Sequence, residues 1–166
     1  AVVLEDPSVA SASAVDRLII VQPEINFTTP EFDNDKTTSQ IDDNVYIETS
    51  FAQCNVQLDK PDQAWITITS SLTGDTYSLK ALETGNSTGK YQLSAPTQNN
   101  ANAINDRLIQ TLSGDTLTAS LDACIAPSVG TGPEQLPTGA DLTAVTEDIS
   151  TQISIVNDNA ALTVTK

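Results

Sequence analysis

Histidine is absent from the chain. That removes Ser-His and Cys-His pairs, imidazole metal ligands and an imidazole pH switch. Carboxylate, lysine and tyrosine chemistry are what remain for catalysis. Methionine is absent too, even at position 1. The sequence therefore reads as a processed or excised piece, and Ala1 suits the residue a signal peptidase leaves behind. Cations are scarce: seven Lys and Arg stand against 22 Asp and Glu, for a net charge of -15. Phosphate backbones and anionic membrane surfaces are held by clustered cations, so neither nucleic acid nor such a surface is an expected partner. Long apolar runs are missing. The longest, Leu18–Val21, is a strand's length and far too short to cross a bilayer, so no membrane insertion is expected. Aromatic residues are few: one Trp, three Tyr and three Phe. Most fall where a core needs them, which leaves little for an exposed sugar platform.

What is present suffices for one domain. With 166 residues, 39% of them hydrophobic, the chain allows a real core with an appended arm. The pattern centres on Ala64 to Ala123, where strand-like runs alternate with Gly, Asn and Asp punctuation. Trp65, Thr67 and Thr69 share one face of a strand; Ile66, Ile68 and Ser70 share the other. Thr73-Gly74-Asp75 is a turn, and Tyr77 to Leu82 is the returning strand. Glu83 to Gly89 is a second turn, followed by a strand at Tyr91 to Leu93. Gly114-Asp115 separates strands at Leu108–Leu112 and Thr116–Leu121. Upstream, Val45 to Val56 alternates as a strand, with an irregularity near its end if Phe51 and Cys54 both point inward. Short strands at this spacing predict an antiparallel sandwich.

The turn pieces carry a resemblance. Ser71-Leu72-Thr73-Gly74-Asp75-Thr76 fits S-x-x-G-D-T. Glu83-Thr84-Gly85-Asn86-Ser87-Thr88-Gly89-Lys90-Tyr91 fits E-T-G-x-x-T-G-x-(F/Y), and Gly114-Asp115-Thr116-Leu117-Thr118-Ala119 fits G-D-T-(L/I)-T-A. With all three in this order, residues 45–125 resemble the bacterial immunoglobulin-like β-sandwich modules of large exported and cell-surface proteins. The resemblance implies an all-β fold, an immunoglobulin-like antiparallel β-sandwich, and an extracellular, cell-surface address. It implies no catalytic residues, since such modules serve structure or adhesion. Cys54, Trp65 and Cys124 likewise resemble the Cys…Trp…Cys order of immunoglobulin domains, where a disulfide joins facing sheets beside the indole. That implies a Cys54–Cys124 disulfide with Trp65 as a core anchor; two buried free thiols are the alternative. Asp122 stands where those domains carry a tyrosine, two residues before the second Cys.

The ends read as extended segments. Residues 1–16 form a linker, or an arm that adds a strand to a neighbour. Residues 17–128 form the sandwich, beginning with a strand at Arg17 to Val21. Residues 129–166 form a Pro/Gly-rich connection and a C-terminal strand segment. In that segment Thr138…Asp141 fits a helix-start pair, and a short helix or coil is expected first, then strands at Gln152–Val156 and Ala161–Thr165. Residues 22–43 and 95–106 read as loops. The first holds Asp33, Asp35, Asp42 and Asp43, oxygen donors of the kind calcium takes. No ordered calcium-loop spacing is present, so a solvated acidic loop is the plainer reading. Asn26-Phe27-Thr28 and Asn86-Ser87-Thr88 are sequons, which makes Asn26 and Asn86 candidate glycosylation sites.

Three functions follow as expectations. The first is a structural module or subunit of a surface fibre or adhesin, joined through terminal strands to copies of itself or to neighbouring domains of the same chain. The second is a carbohydrate- or protein-receptor-binding adhesin domain, with Phe27 and Phe32 as the best exposed aromatics. The third, an enzyme, is not expected: adjacent carboxylates such as Asp42 and Asp43 point to opposite faces of extended chain and do not converge on one bond. No cofactor beyond calcium is suggested.

Overall fold

Alternating burial runs through Val45–Ser50, Lys90–Ala95 and Thr116–Ile125 of the computed structural model, which describes residues 22–103, 106–127, 129–130, 132 and 136–158. The elements are β1 (Glu24–Thr28), β2 (Thr38–Gln40), β3 (Val45–Ser50), a short 3-10 turn (Ala52–Cys54), β4 (Gln63–Ser70) and β5 (Thr76–Glu83). They continue with β6 (Lys90–Ala95), β7 (Thr97–Asn99), β8 (Ile109–Thr111), β9 (Thr116–Ile125), β10 (Leu142–Ala144) and β11 (Ser150–Val156). No α-helix occurs among the described residues, and the fold is all-β. The strands expected at Arg17 to Val21 and Ala161–Thr165, and the arm of residues 1–16, lie outside the described residues.

One curled, mostly antiparallel sheet runs β1-β3-β6-β5-β4-β9-β11-β2, with β10 on the far part of β9. Only β2 against β11 is parallel in this sheet; β7 and β8 form a separate parallel pair. The join between β5 and β6 is narrow, with only Leu82↔Gln92 and Glu83↔Tyr91 in register. The curl therefore turns β1, β3 and β6 towards β4, β9 and β11, and one apolar cluster fills the space between. It contains Ile25, Phe27, Val45, Ile47, Ile66, Ile68, Tyr91, Leu117, Leu121 and Ile155, all buried. Each such aliphatic side chain contributes roughly 1.5–3 kcal/mol on burial.

The strand directions give the body two ends. Ser50, Lys90, Glu83, Gln63 and Ile125 stand together at one end, which also holds Cys54. Val45, Ala95, Ser70, Thr76 and Thr116 stand at the other. β1 starts at the first end, at Glu24 opposite Ser50. β11 finishes at the second, where Ser154 lies opposite Thr116.

Between Leu121 and Ala123 the register with β4 slips: Ile66 faces Leu121, but Trp65 faces Ala123. Asp122 is the extra residue of a β-bulge, which re-aims the strand beyond it. Ahead of the bulge, Leu117, Ala119 and Leu121 face the core. Beyond it Cys124, level with Ala64, takes the inward face, while Ala123 and Ile125 share the outer face with Trp65 and Gln63.

Several local expectations need correction. Glu24–Thr28, Thr38–Gln40 and Thr97–Asn99 are strands within stretches read as loops. The last two are three residues long, too short for a period of two to register. Thr138 and Asp141 close a turn and start no helix: the Asp141 carboxylate accepts from the Thr138 hydroxyl at 2.6 Å and from its N–H at 3.1 Å. The following residues enter β10, and β11 completes the main sheet beside β9, so this part of the C-terminal segment is integral to the body.

Candidate functional site

At one end Cys54 and Cys124 are joined in a disulfide, with Cα atoms 5.0 Å apart and a sequence separation of 70. The strand ends at Ser50 and the backbone turns through Ala52–Cys54, so that Phe51 and Cys54 are both buried. Two buried carboxylates stand beside this staple. Asp62 accepts from the N–H groups of Val56 at 2.6 Å and Gln57 at 2.7 Å, which fixes the loop that carries Val56 and Leu58 into solvent. Glu83 accepts from the Gly89 N–H at 2.6 Å and from the Asp62 N–H at 2.9 Å. Gly89 has φ 65, in the left-handed region that favours glycine. The E-T-G-x-x-T-G motif is thus a turn whose first residue ties down its last glycine. Tyr91 packs its ring in the core, and its hydroxyl has no hydrogen-bond partner among the described residues. Burial, then the charges of Glu83 and Asp62, push the Tyr91 phenol far above its ordinary range.

The other end has no covalent cross-link among the described residues, and its turns are tied by hydrogen bonds. The Asp115 carboxylate is fully buried and accepts from the hydroxyls of Ser70 at 2.6 Å and Ser71 at 2.9 Å. It also accepts from the N–H groups of Ser71 and Leu72, each at 3.0 Å, and of Thr116 at 2.7 Å. Burial pushes this carboxyl up, but the bonds from Ser70, Ser71, Leu72 and Thr116 together outweigh it and hold it below the ordinary 3.8. Asp75 accepts from the Gln110 N–H at 2.8 Å, and the Thr73 hydroxyl donates to the Gln110 carbonyl at 2.8 Å. The aspartates of both G-D-T motifs therefore tie the β4–β5 turn to β8 and β9.

The acidic candidates are dispersed. Asp33 accepts from the Thr29 hydroxyl at 2.5 Å, which, with Asn34, holds its carboxyl below the ordinary value. Asp35 lines a groove with Glu24, Asn26, Glu48, Ser50 and Lys90. Asp42 and Asp43 line a different cavity of about 360 Å3, with Pro30, Lys36, Asn44 and Tyr46. Among the described residues, no three Asp, Glu or Cys side chains stand close enough to hold a metal ion. The four aspartates therefore do not assemble into the calcium site the loop suggested, because the intervening strands and turns send them to separate places.

Trp65 is not a core anchor. Ile66 and Ile68 take the inward face of β4, so the indole lies on the outer face, half-buried, level with Lys80 and Ala123. Lys80 is buried there, donates to the Gly130 carbonyl, and has its ammonium pushed down by burial. Phe27 also departs from expectation: it is a core residue of β1, not an exposed aromatic. Phe32 is half-buried and meets Tyr46 edge-on, ring centroids 5.8 Å apart. Asn26 stands on the outer face of β1 and donates to Glu24 at 2.6 Å; Asn86 is exposed on its turn and donates to the Asp59 carbonyl at 2.8 Å. The role of buried Asp62 was missed in the sequence. Its signal was an acid just ahead of the β4 run, in reach of a loop with unpaired N–H groups.

No family model matches the chain, and no curated protein matches it.

Proposed function

We propose that this chain is an extracellular structural module of a surface fibre or adhesin: an immunoglobulin-like β-sandwich, disulfide-stapled and joined to neighbours through its terminal segments. The observation that carries the reading is the placing of its two exits. The chain enters β1 at the disulfide end and leaves β11 at the opposite end. The two points are separated by the body's length, on the order of 20–30 Å. A module that passes tension from one neighbour to the next needs that arrangement. The strand order supports the immunoglobulin-like assignment in part, since the neighbours β1-β3-β6 and β4-β9-β11 follow the ABE and CFG groups of that sandwich, while β5 pairs along its length with β4 and only at its end with β6. So does the disulfide between the turn after β3 and β9, the second and sixth strands in that scheme. We assign the module no catalysis, because its buried carboxylates are committed to backbone N–H groups.

The test is to pull on a tandem array of the chain in a single-molecule force experiment. Discrete unfolding peaks are expected, and reduction should lengthen each extension by about 240 Å, the span of the 70-residue separation closed by the disulfide. Smooth extension without discrete peaks would contradict a load-bearing role.

A further inference from the structure

We propose that the cavity between the β1–β2 connection and the start of β3 binds a neutral saccharide. The proposal uses different residues from the structural reading and stands or falls apart from it. The cavity, about 360 Å3, lies within the roughly 300–1,000 Å3 of small-molecule sites. It opens at the end away from the disulfide, beside Pro30, Lys36, Asp42, Asp43, Asn44 and Tyr46.

One wall is a positioned ring. Tyr46 stands half-buried on the outer face of β3, and Phe32 meets it at an interplanar angle of 85°. Phe32 has φ 58, where bulky side chains are rarely found, and Asp42 has φ 67. Two of the four non-glycine residues with positive φ among the described residues thus fall on a cavity residue and on the support of the Tyr46 ring, and strain of this kind collects at ligand sites.

The polar groups are held from behind and open in front. One Asp42 oxygen accepts from the Asn99 N–H at 2.5 Å, and the Asp43 carbonyl accepts from the Thr97 hydroxyl at 2.6 Å. The side chains of Lys36, Asp43 and Asn44 have no hydrogen-bond or ion-pair partner among the described residues. Acceptors and donors thus converge beside an aromatic face. A sugar offers the complement: hydroxyls that both donate and accept around its edge, and C–H groups on its face to pack on Tyr46.

Competing ligand classes fit less well. A purely apolar ligand would bury Lys36 and the carboxylates unpaired. Phosphorylated, sulfated and sialylated ligands meet a chain of net charge -15. A divalent cation would find two carboxylates, one already engaged by Asn99.

Saturation-transfer NMR on the full chain, with methyl glucosides, galactosides and mannosides as probes, tests this directly. A glycan array carrying neutral and anionic structures distinguishes free sugars from glycan termini. Transfer from at least one neutral saccharide is expected, with affinity near about 1 mM. Tyr46→Ala should weaken it about tenfold or more. Lys36→Ala, on a partly exposed loop position, should do the same without risk to folding, and Leu58→Ser at the far end should leave binding unchanged. No transfer from any neutral probe and no array binding would overturn the proposal. So would binding untouched by Tyr46→Ala and Lys36→Ala, or binding confined to anionic glycans.

Discussion

The two ends of the sheet solve the same problem in different ways. At each, several strand termini and turns must be held over a core with little regular structure to cover it. At the disulfide end a covalent link joins the turn after β3 to β9, and Asp62 and Glu83 collect the N–H groups of the nearby loops. At the opposite end no covalent link is present among the described residues, and Asp115 alone gathers five donors from two segments. The difference teaches where the fold depends on its surroundings. One end has a covalent tie behind its buried carboxylates, the other rests on a carboxylate network with no cross-link behind it. The end without the cross-link is also the end with the strained, aromatic-lined cavity.

Breaking the staple should have the largest effect. Cys54→Ser with Cys124→Ser removes a cross-link between residues 70 apart. It should lower unfolding stability by about 4 kcal/mol in the chain-entropy account, measured by urea denaturation. Asp115→Ala comes next. It removes the acceptor of five donors and leaves the Leu72 N–H without one, while the Ser71 N–H keeps the Thr116 carbonyl and the Thr116 N–H keeps the Ser71 hydroxyl, and it should cost about 2 kcal/mol in the same assay. Asp115→Asn keeps an acceptor and should cost less. If the order of the two losses were reversed, the carboxylate would be the stronger tie.

Tyr91→Phe should have the smallest effect, a change of about 1 kcal/mol or less, because the hydroxyl it removes has no partner among the described residues. The phenol still governs the alkaline limb. Its folded pKa lies above the unfolded value, so its contribution is complete below about pH 10 and is lost as pH rises towards the folded value. The Tyr91→Phe variant should therefore resist alkaline unfolding better than the parent, as followed by circular dichroism.

How much of this was legible in the sequence depends on whether a residue's role is local. Thr73-Gly74-Asp75, Glu83 to Gly89 and Gly114-Asp115 were readable as turns because their chemistry acts within a few residues. The break after Ser50 was readable because Phe51 and Cys54 cannot both face inward on a straight strand. The face of Trp65 was not readable: alternation divides β4 into two sets, and only the packing of β3 and β9 decides which set is inside. The Asp122 bulge was hidden because a single extra residue leaves the apolar pattern of β9 unbroken while inverting its meaning. Asp42 and Asp43 could be singled out, but not their meeting with Tyr46, which depends on where β3 begins.

The most direct measurement is hydrogen exchange at the two ends of the intact chain, once under reduction and once in acid. The folded pKa of Asp115 is depressed, so its contribution is present above the unfolded value and is lost as pH falls through the folded one, below about pH 4. With the disulfide intact, acidification towards about pH 2 should strip protection from the Leu72 amide, whose acceptor is Asp115, while Cys54 and Asn55 keep theirs. Reduction at neutral pH should do the reverse. Loss of protection at both ends together, under either treatment, would contradict the account of two ends held independently.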